Sequence, residues 1–450
     1  MNNRPHNSIN RSAIAKIPFN KIAASSLLLL WSATGAFAQQ AAPADPLVAK
    51  ALAIHERAIT LDTHVDIAGA NYATPALDPG AATSTLKCDL TKMEQGGLDG
   101  VFLAVFVGQG PLDDAGYKGA LDQAMAKFEA LKRLTTQMYP NRCAFATSPA
   151  EVERIVKSGK RAIMTGVENG YPMGTDLANL RKFYELGARY VTLSHSGNNQ
   201  LADSSSAREP LNNGLSELGK QVVAEMNRLG MMIDVSHIAE KSFWDIIAIT
   251  KAPIIASHSG CKALTDSNRN LTDDQLRALA KGGGVMQTVA LGGYLKNEDP
   301  ARRDAMAKLR EELGLPPSGR GGPAGGGGRA SQAAMTDEQR AANEKKMAQY
   351  RERMKEIDAR YPSATLKDFV DHIDHAVKVA GIDHVGIGTD FDGGGGILGF
   401  NDDTEAPNVT IELVRRGYTE EQIKKIWGEN LLRVWREIEQ KGVELQQKKA

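Results

Sequence analysis

Eight short apolar runs recur along the chain, each followed by a longer segment of a different character. They are AITLDTH (58–64), GVFLAVFV (100–107), RAIMTGVE (161–168), RYVTLSH (189–195), MMIDVSH (231–237), PIIASH (253–258), GGVMQTVA (283–290) and HVGIGTD (384–390). Most are nearly continuous in Val, Ile, Leu, Met and Ala, with little polar alternation, as expected of parallel strands covered on both faces. Between them lie helical patterns such as LDQAMAKFEALKRLTTQM, SELGKQVVAEMNRLG, IAEKSFWDIIAIT and LTDDQLRALAKGG, two of which close on a glycine suited to a C-cap. Eight alternations of strand and helix predict an α/β fold, a (β/α)8 TIM barrel in preference to a doubly wound open sheet.

One stretch breaks the rhythm. Residues 298–362 contain LPPSGRGGPAGGGGRASQ and then the charged MTDEQRAANEKKMAQYRERMKEIDARYP. The first half has a flexible-linker composition, and the second suits a solvated helix with little apolar face. It reads as a Gly-rich, charged insertion after the seventh strand.

The N-terminus has its own grammar. Arg4, Arg11, Lys16 and Lys21 precede IAASSLLLLWSATGAFA, which ends in the small-x-small triplet Ala36-Phe37-Ala38. Residues 1–38 are therefore expected to be a signal peptide, with an uncleaved anchor as the alternative. Residues 39–54 read as an N-terminal spacer, 55–440 as the barrel domain interrupted by 298–362, and 441–450 as a polar C-terminal tail. The expected product is exported, periplasmic or secreted, with no stable membrane anchor after cleavage. Cys88, Cys143 and Cys261 are too few for a disulfide scaffold but permit one bridge in an oxidising compartment. Lys plus Arg balances Asp plus Glu at 54 each, so no global field draws nucleic acid or an anionic membrane. A small, zwitterionic substrate fits that balance, and a homodimer is compatible with it.

The chemistry gathers at the ends of the apolar runs. His64 and Asp66 stand two apart in LDTHVD, so they face one side if the strand continues through them. Alone this pair is weak evidence. Glu168, His195, His237, His258 and Asp390 close further runs, and in a (β/α)8 barrel all C-terminal strand ends meet on the face where active sites form. Imidazoles and carboxylates suit Zn²⁺ and related divalent ions, with Co²⁺ and Mn²⁺ also acceptable. So many donors exceed one catalytic zinc site, whereas a shared carboxylate can serve a pair of ions. The expectation is two Zn²⁺ per chain, with His64 and Asp66 on one ion, His237 and His258 on the other, and Glu168 bridging.

LDTHVD, TGVENG, LSHSGNN, IDVSH, IASHSG, DSNRN and GIGTDFDG, in that order, resemble the membrane (renal) dipeptidases, binuclear zinc metallopeptidases of the amidohydrolase-like superfamily. The likeness runs from about residue 55 to 440 apart from the insertion. It implies that His64, Asp66, Glu168, His237 and His258 hold the metals, and that His195, Arg269 and Asp390 are non-ligand active-site residues. The segment MQTVALGGYL lacks the Asn-aromatic pattern of animal members, and the insertion is foreign to them. Both departures bear on substrate preference.

The expected function is hydrolysis of small dipeptides by a hydroxide bridging two zinc ions. His195 is the candidate donor to the developing oxyanion, and alternatively a further metal-proximal ligand or a packed core histidine. Asp390 either relays the water's proton to the leaving amine or binds the substrate ammonium. Arg269, in a loop past His258, offers a bidentate grip on the substrate's C-terminal carboxylate. Alternatives are another binuclear amidohydrolase, such as an N-acyl-amino-acid deacylase or lactonase, and a catalytically silent binding protein on the same fold. His372 and His375 form an HxxH on a helix expected outside the barrel, where solvation is the expected fate. His55 and His384 precede strands, at the end opposite the site. GGGG (393–396) is expected to be a flexible rim loop, and Asp392 either supports the site or caps a turn.

Overall fold

The computed structural model describes residues 45–82, 84–315 and 337–448; the expected signal peptide and the Gly-rich half of the insertion, 316–336, lie outside the described residues. Among the described residues, nine parallel strands form one sheet: β1 (Leu61–Asp66), β2 (Gly100–Phe106), β3 (Cys143–Phe145), β4 (Arg161–Glu168), β5 (Ala188–Thr192), β6 (Met232–Asp234), β7 (Ile254–Ser259), β8 (Val285–Thr288) and β9 (Val385–Ile387). Eight of them follow the order β1-β2-β4-β5-β6-β7-β8-β9, and β3 pairs with β4 off this path. A bridge from Val65 to Phe391 brings the last strand back to the first, as the eight-fold alternation predicts. The extra strand β3, not among the eight runs, is three residues long and pairs with β4 alone.

Side chains along each strand divide into two sets. Phe102, Ala162, Met164, Tyr190, Met232, Ile255 and Val285 belong to one cluster, together with Leu431 and Trp435 of the C-terminal helix Asn430–Gln447. Val101, Leu103, Val105, Ile163, Val167, Val191 and Ile233 belong to the other, packed under the surrounding helices. The first cluster fills the barrel, so the lumen is a core and not a pore. Along β4 the inward column reads Ala162, Met164, Gly166, Glu168: apolar at the base, then a gap, then a carboxylate at the top. The gap has a purpose, because a Cβ on Gly166 would lie 2.3 Å from the Tyr190 ring.

Two boundaries differ from expectation. The stretch read as a spacer is helical from Pro46 to Arg57: Asp45 caps it, proline starts it, and Ala51, Ile54 and His55 are buried. At the far end the C-terminal helix runs on to Gln447, so most of the expected tail is structured. Within the insertion, helices Pro300–Glu312 and Asp337–Arg360 are joined by ion pairs of Arg302 with Asp358 and of Arg353 with Glu312. All three cysteines are buried and free, so no bridge forms among them. No helix among the described residues is long and apolar enough to cross a membrane.

Candidate metal centre

β1 runs through both His64 and Asp66, Glu168 is the last residue of β4, and His258 lies within β7. His195, His237 and Asp390 were expected as strand-end residues, but each stands three positions beyond its strand, in the loop that follows. All the same, these side chains reach a common centre, apart from the support residues described below.

Glu168 is that centre. Its Oε2 lies 3.3 Å from His64 Nε2, and its Oε1 lies 3.1, 3.4 and 3.6 Å from Nε2 of His237, His195 and His258. His237 Nε2 and His258 Nε2 are 2.8 Å apart, and Asp66 Oδ1 is 3.9 Å from His64 Nε2. Two donor groups result, His64–Glu168–His258 and Glu168–His195–His237, each with its ligand atoms within 4.8 Å and both using Glu168. The expected grouping set His64 with Asp66 and His237 with His258, and the imidazoles adjoin in both senses: Nε2 of His237 and of His258 are neighbours at 2.8 Å, while the His258 ring lies beside His64 with centroids 3.8 Å apart and the His195 ring beside His237 at 4.1 Å. Aiming several imidazole nitrogens at one carboxylate concentrates lone pairs, an arrangement that a cation or a proton must compensate. The donor set therefore fits borderline-to-hard divalent ions.

The ionisation pattern fits it too. Burial opposes the charge on Glu168, but His64, His195 and His237 outweigh it and hold the carboxyl well below its usual range. Burial pushes His237 and His258 well down, with Arg269 and the neighbouring imidazoles adding to the effect, so both rings are neutral as ligands must be. His64 goes the other way: burial lowers it, yet Glu168, Asp390 and Asp66 raise it to about 10. The negative potential that holds a proton there is the one a divalent cation would meet, and ligation exchanges one for the other. Asp390 is pushed well up by burial, with His64 opposing and Asp66 reinforcing.

Beneath the donors lies a polar layer that sequence reasoning missed. Tyr190 Oη donates to Thr63 O at 3.3 Å and lies 3.0 Å from His64 Nδ1, which leaves it only the acceptor role there and turns His64 Nε2 towards the centre. Ser257 Oγ donates to Asp234 Oδ2 at 2.7 Å and accepts from His258 Nδ1 at 2.8 Å, so His258 is oriented the same way. Asp62 accepts the backbone N–H groups of His64 and Thr389, both at 3.0 Å, tying β1 to the Asp390 turn. The available signal was an acidic residue inside each apolar run, Asp62 in LDTH and Asp234 in IDVSH.

The turn bearing Asp390 is also better ordered than expected. Gly393, Gly394 and Gly395 all donate their N–H groups to Asp390 O, and Gly396 donates to Ala290 O, so the glycine run is a pinned cradle and not a flexible loop. A Cβ on Gly393 would sit 2.2 Å from Asp390 Oδ1 and 2.9 Å from Asp66 Oδ2, which is why the chain is bare there. Asp392 accepts from Lys87 N and Cys88 N, a turn-capping role away from the donors. His237 and Asp390 adopt left-handed backbone angles, φ +67° and +60°, at a cost of about 1–3 kcal/mol each.

The sequence profile of the membrane dipeptidases, peptidase family M19, matches residues 48–449. The chain belongs to this family. Among curated relatives of this family member, dipeptidase tcpJ of Claviceps purpurea is 31% identical over 356 residues, covering 78% of this chain and 69% of its own. Dipeptidase verJ of Clonostachys rogersoniana is 30% identical over 372 residues, covering 80% and 78%. Among solved structures, the probable dipeptidase PvdM from Pseudomonas aeruginosa superposes with TM-score 0.73 at 34% identity, covering 88% of this chain and 99% of that one. M19 membership supports metal-dependent hydrolysis of dipeptides as the activity.

In this M19 chain Arg269 is buried, 6% exposed, with Nη2 donating to His258 O at 3.5 Å and the guanidinium 5.3 Å from the centre of the Tyr294 ring. His237 and Arg269 line one side of a cavity of about 350 Å³, between the loop carrying Asn198 to Gly214 and the loop carrying Lys262 to Gln275. His195 is the most exposed of the four imidazoles, at 14%; its ring packs on Phe106 and its Nδ1 pairs with Ser196 Oγ. The remaining histidines among the described residues do not join the centre. His55 bonds Thr410 and Gly96 O, His384 bonds Gly284 O, and His375 pairs with Asp273. His372, expected to be solvated, is 1% exposed, because it lies in the buried stripe of helix Leu366–Ala380 with Phe369, Ile373 and Ala376.

Proposed function

We propose that this chain is an exported zinc dipeptidase whose two ions are held by His64, Asp66, His237 and His258, with Glu168 shared between them. The observation that carries the reading is the Glu168 carboxylate, met by His64 on one oxygen and by His237 and His258 on the other. Two divalent cations in such a donor set supply acidity to a water and positive charge to a carbonyl oxygen. His195, outside the proposed ligand set and the most exposed imidazole, donates a hydrogen bond to the oxygen on which negative charge grows. Asp390, facing Asp66 across Gly393, accepts the proton of the attacking water and returns it to the leaving amine, or holds the substrate ammonium. Arg269 grips the free C-terminal carboxylate through its planar fork, which selects dipeptides by the distance from carboxylate to scissile bond. Export rests on the basic, apolar and small-residue pattern of residues 1–38.

Metal analysis joined to a substrate panel tests this reading. The purified protein is expected to carry two equivalents of zinc, to lose activity on chelation and to regain it with Zn²⁺. Dipeptides are expected to exceed their C-terminal amides by at least about tenfold in kcat/KM, the effect of leaving a buried guanidinium without its partner. Equal turnover of acid and amide removes Arg269 from its role and favours an amidohydrolase of other specificity. Full activity after exhaustive metal removal overturns the mechanism.

A further inference from the structure

The HxxH pair of helix Leu366–Ala380 belongs to no metal group among the described residues, yet His375 holds the helix that follows the Arg269 loop and His372 holds the loop itself. His375 Nε2 is 2.7 Å from Asp273 Oδ1, at the start of helix Asp273–Lys281. His372 goes deeper. Its Nδ1 accepts the Cys261 backbone N–H at 2.9 Å, its Nε2 meets Leu295 O at 3.1 Å, and its own carbonyl accepts from the Cys261 thiol at 3.4 Å. A ring nitrogen that accepts an N–H cannot carry the proton, so only the Nε2–H tautomer satisfies both bonds. Burial holds this imidazole below its ordinary value, in keeping with a neutral ring. Gly260 permits the approach, since a Cβ there would lie 2.5 Å from Asn270 Oδ1 and 3.1 Å from His372 Nδ1.

The two bonded groups are the roots of the two segments that carry the proposed carboxylate grip. Cys261 opens the loop bearing Arg269, and that loop closes on itself through Leu271 N to Gly260 O at 2.9 Å and Lys262 N to Leu271 O at 2.8 Å. Leu295 ends the short helix that holds Tyr294 beneath the Arg269 guanidinium. Asn270 supplies a second link, donating to Tyr294 O at 2.8 Å. With both segments fastened to one imidazole, a shift at His372 moves arginine and ring relative to each other, while His64, Glu168 and His258 stay on their own strands.

We propose that His372 is a positioning residue for recognition of the substrate's C-terminal carboxylate, acting by locking the Arg269 loop to the Tyr294 helix. The inference rests on the carboxylate role of Arg269. It predicts a split that a merely structural histidine would not produce. His372→Leu should raise KM for dipeptides by about tenfold with kcat little changed, a 1 Å misplacement being able to cost up to ~10²-fold. KM for the matching C-terminal amides and the bound zinc should be unchanged. His372→Asn keeps an acceptor near Cys261 N and should recover part of the loss; His372→Gln keeps a donor for Leu295 O and separates the second bond. Arg269→Ala, measured beside them, decides the underlying reading. If Arg269→Ala collapses the acid-to-amide ratio while the His372 variants scale both substrates equally, or change only the melting temperature, His372 is structural and the inference fails alone. If Arg269→Ala leaves the acid-to-amide ratio intact, the carboxylate reading fails and takes the inference with it. Should the leucine variant not fold, the asparagine and glutamine variants give the same ratio.

Discussion

Replacing Tyr190 with phenylalanine removes one oxygen atom from beneath the centre and nothing else. The ring stays where it packs, 5.5 Å from Phe102 and over the bare Gly166, so no cavity opens. What disappears is the acceptor 3.0 Å from His64 Nδ1, in a site with no solvent, as His64 is 0% exposed. A buried donor left without an acceptor costs about 1–3 kcal/mol. Ligation takes one proton from this ring, and without the Tyr190 oxygen the proton given up is the one on Nδ1, so that the other stays on Nε2 beside Glu168 at 3.3 Å. Nε2 is the atom needed for the ion, so the cost reappears as lost metal affinity, about 10–100-fold, the usual effect of removing a group that orients a ligating histidine. Titrating the metal-free protein against a chromophoric chelator reads this directly, with the melting temperature of the metal-free form as control. An affinity within about twofold of wild type would refute the argument that Tyr190 sets the tautomer. Equal losses in affinity and in stability of the metal-free form would assign the effect to packing instead.

Glu168→Gln keeps the shape of the side chain and removes its charge. One unit charge at ~4 Å is worth about 4 kcal/mol at an effective dielectric constant of ~20, so metal affinity should fall by about 10³-fold or more; retention of two tightly bound ions, measured by elemental analysis after dialysis, contradicts the shared-carboxylate reading. A separate expectation concerns acid stability. His55 is lowered by burial, only partly offset by the Gly96 carbonyl. Above pH ~6.5 both folded and unfolded chains carry it neutral; below that the unfolded chain takes up the proton and the folded one does not, so stability is lost as pH falls, by up to ~1.4 kcal/mol per unit. Urea titrations of wild type and His55→Gln at pH 7.5 and 5.5 check this: the variant should be less stable at both but fall less steeply, and parallel slopes count against it.

The strands were legible because burial on both faces leaves apolar runs with no competing period, and the polar residues ending those runs pointed to the centre. Where a strand stops was less legible. Thr192 and Asp234 end β5 and β6 while LSH and VSH continue in a strand-like composition, so His195 and His237 read as strand residues although the backbone has already turned. The arrangement of imidazoles across the lumen depends on distances between strands remote in sequence, which a spacing of two residues cannot encode; hence the approach of His258 to both His64 and His237 was not legible. His372 was misread for a simpler reason. It lies at i+3 from Phe369 and beside Ile373 on the buried stripe, a helical spacing that outweighed its polarity. The glycine run after Asp390 shows the converse, a composition typical of mobility serving close approach.

The left-handed turns at His237 and Asp390 set a limit on how far this enzyme can be hardened against heat. Glycine would suit the backbone better at both places, and an imidazole and a carboxylate are needed there instead. Selection for thermal endurance alone would thus favour erasing two of the groups that do the work, so such a screen should be coupled to turnover from its first round.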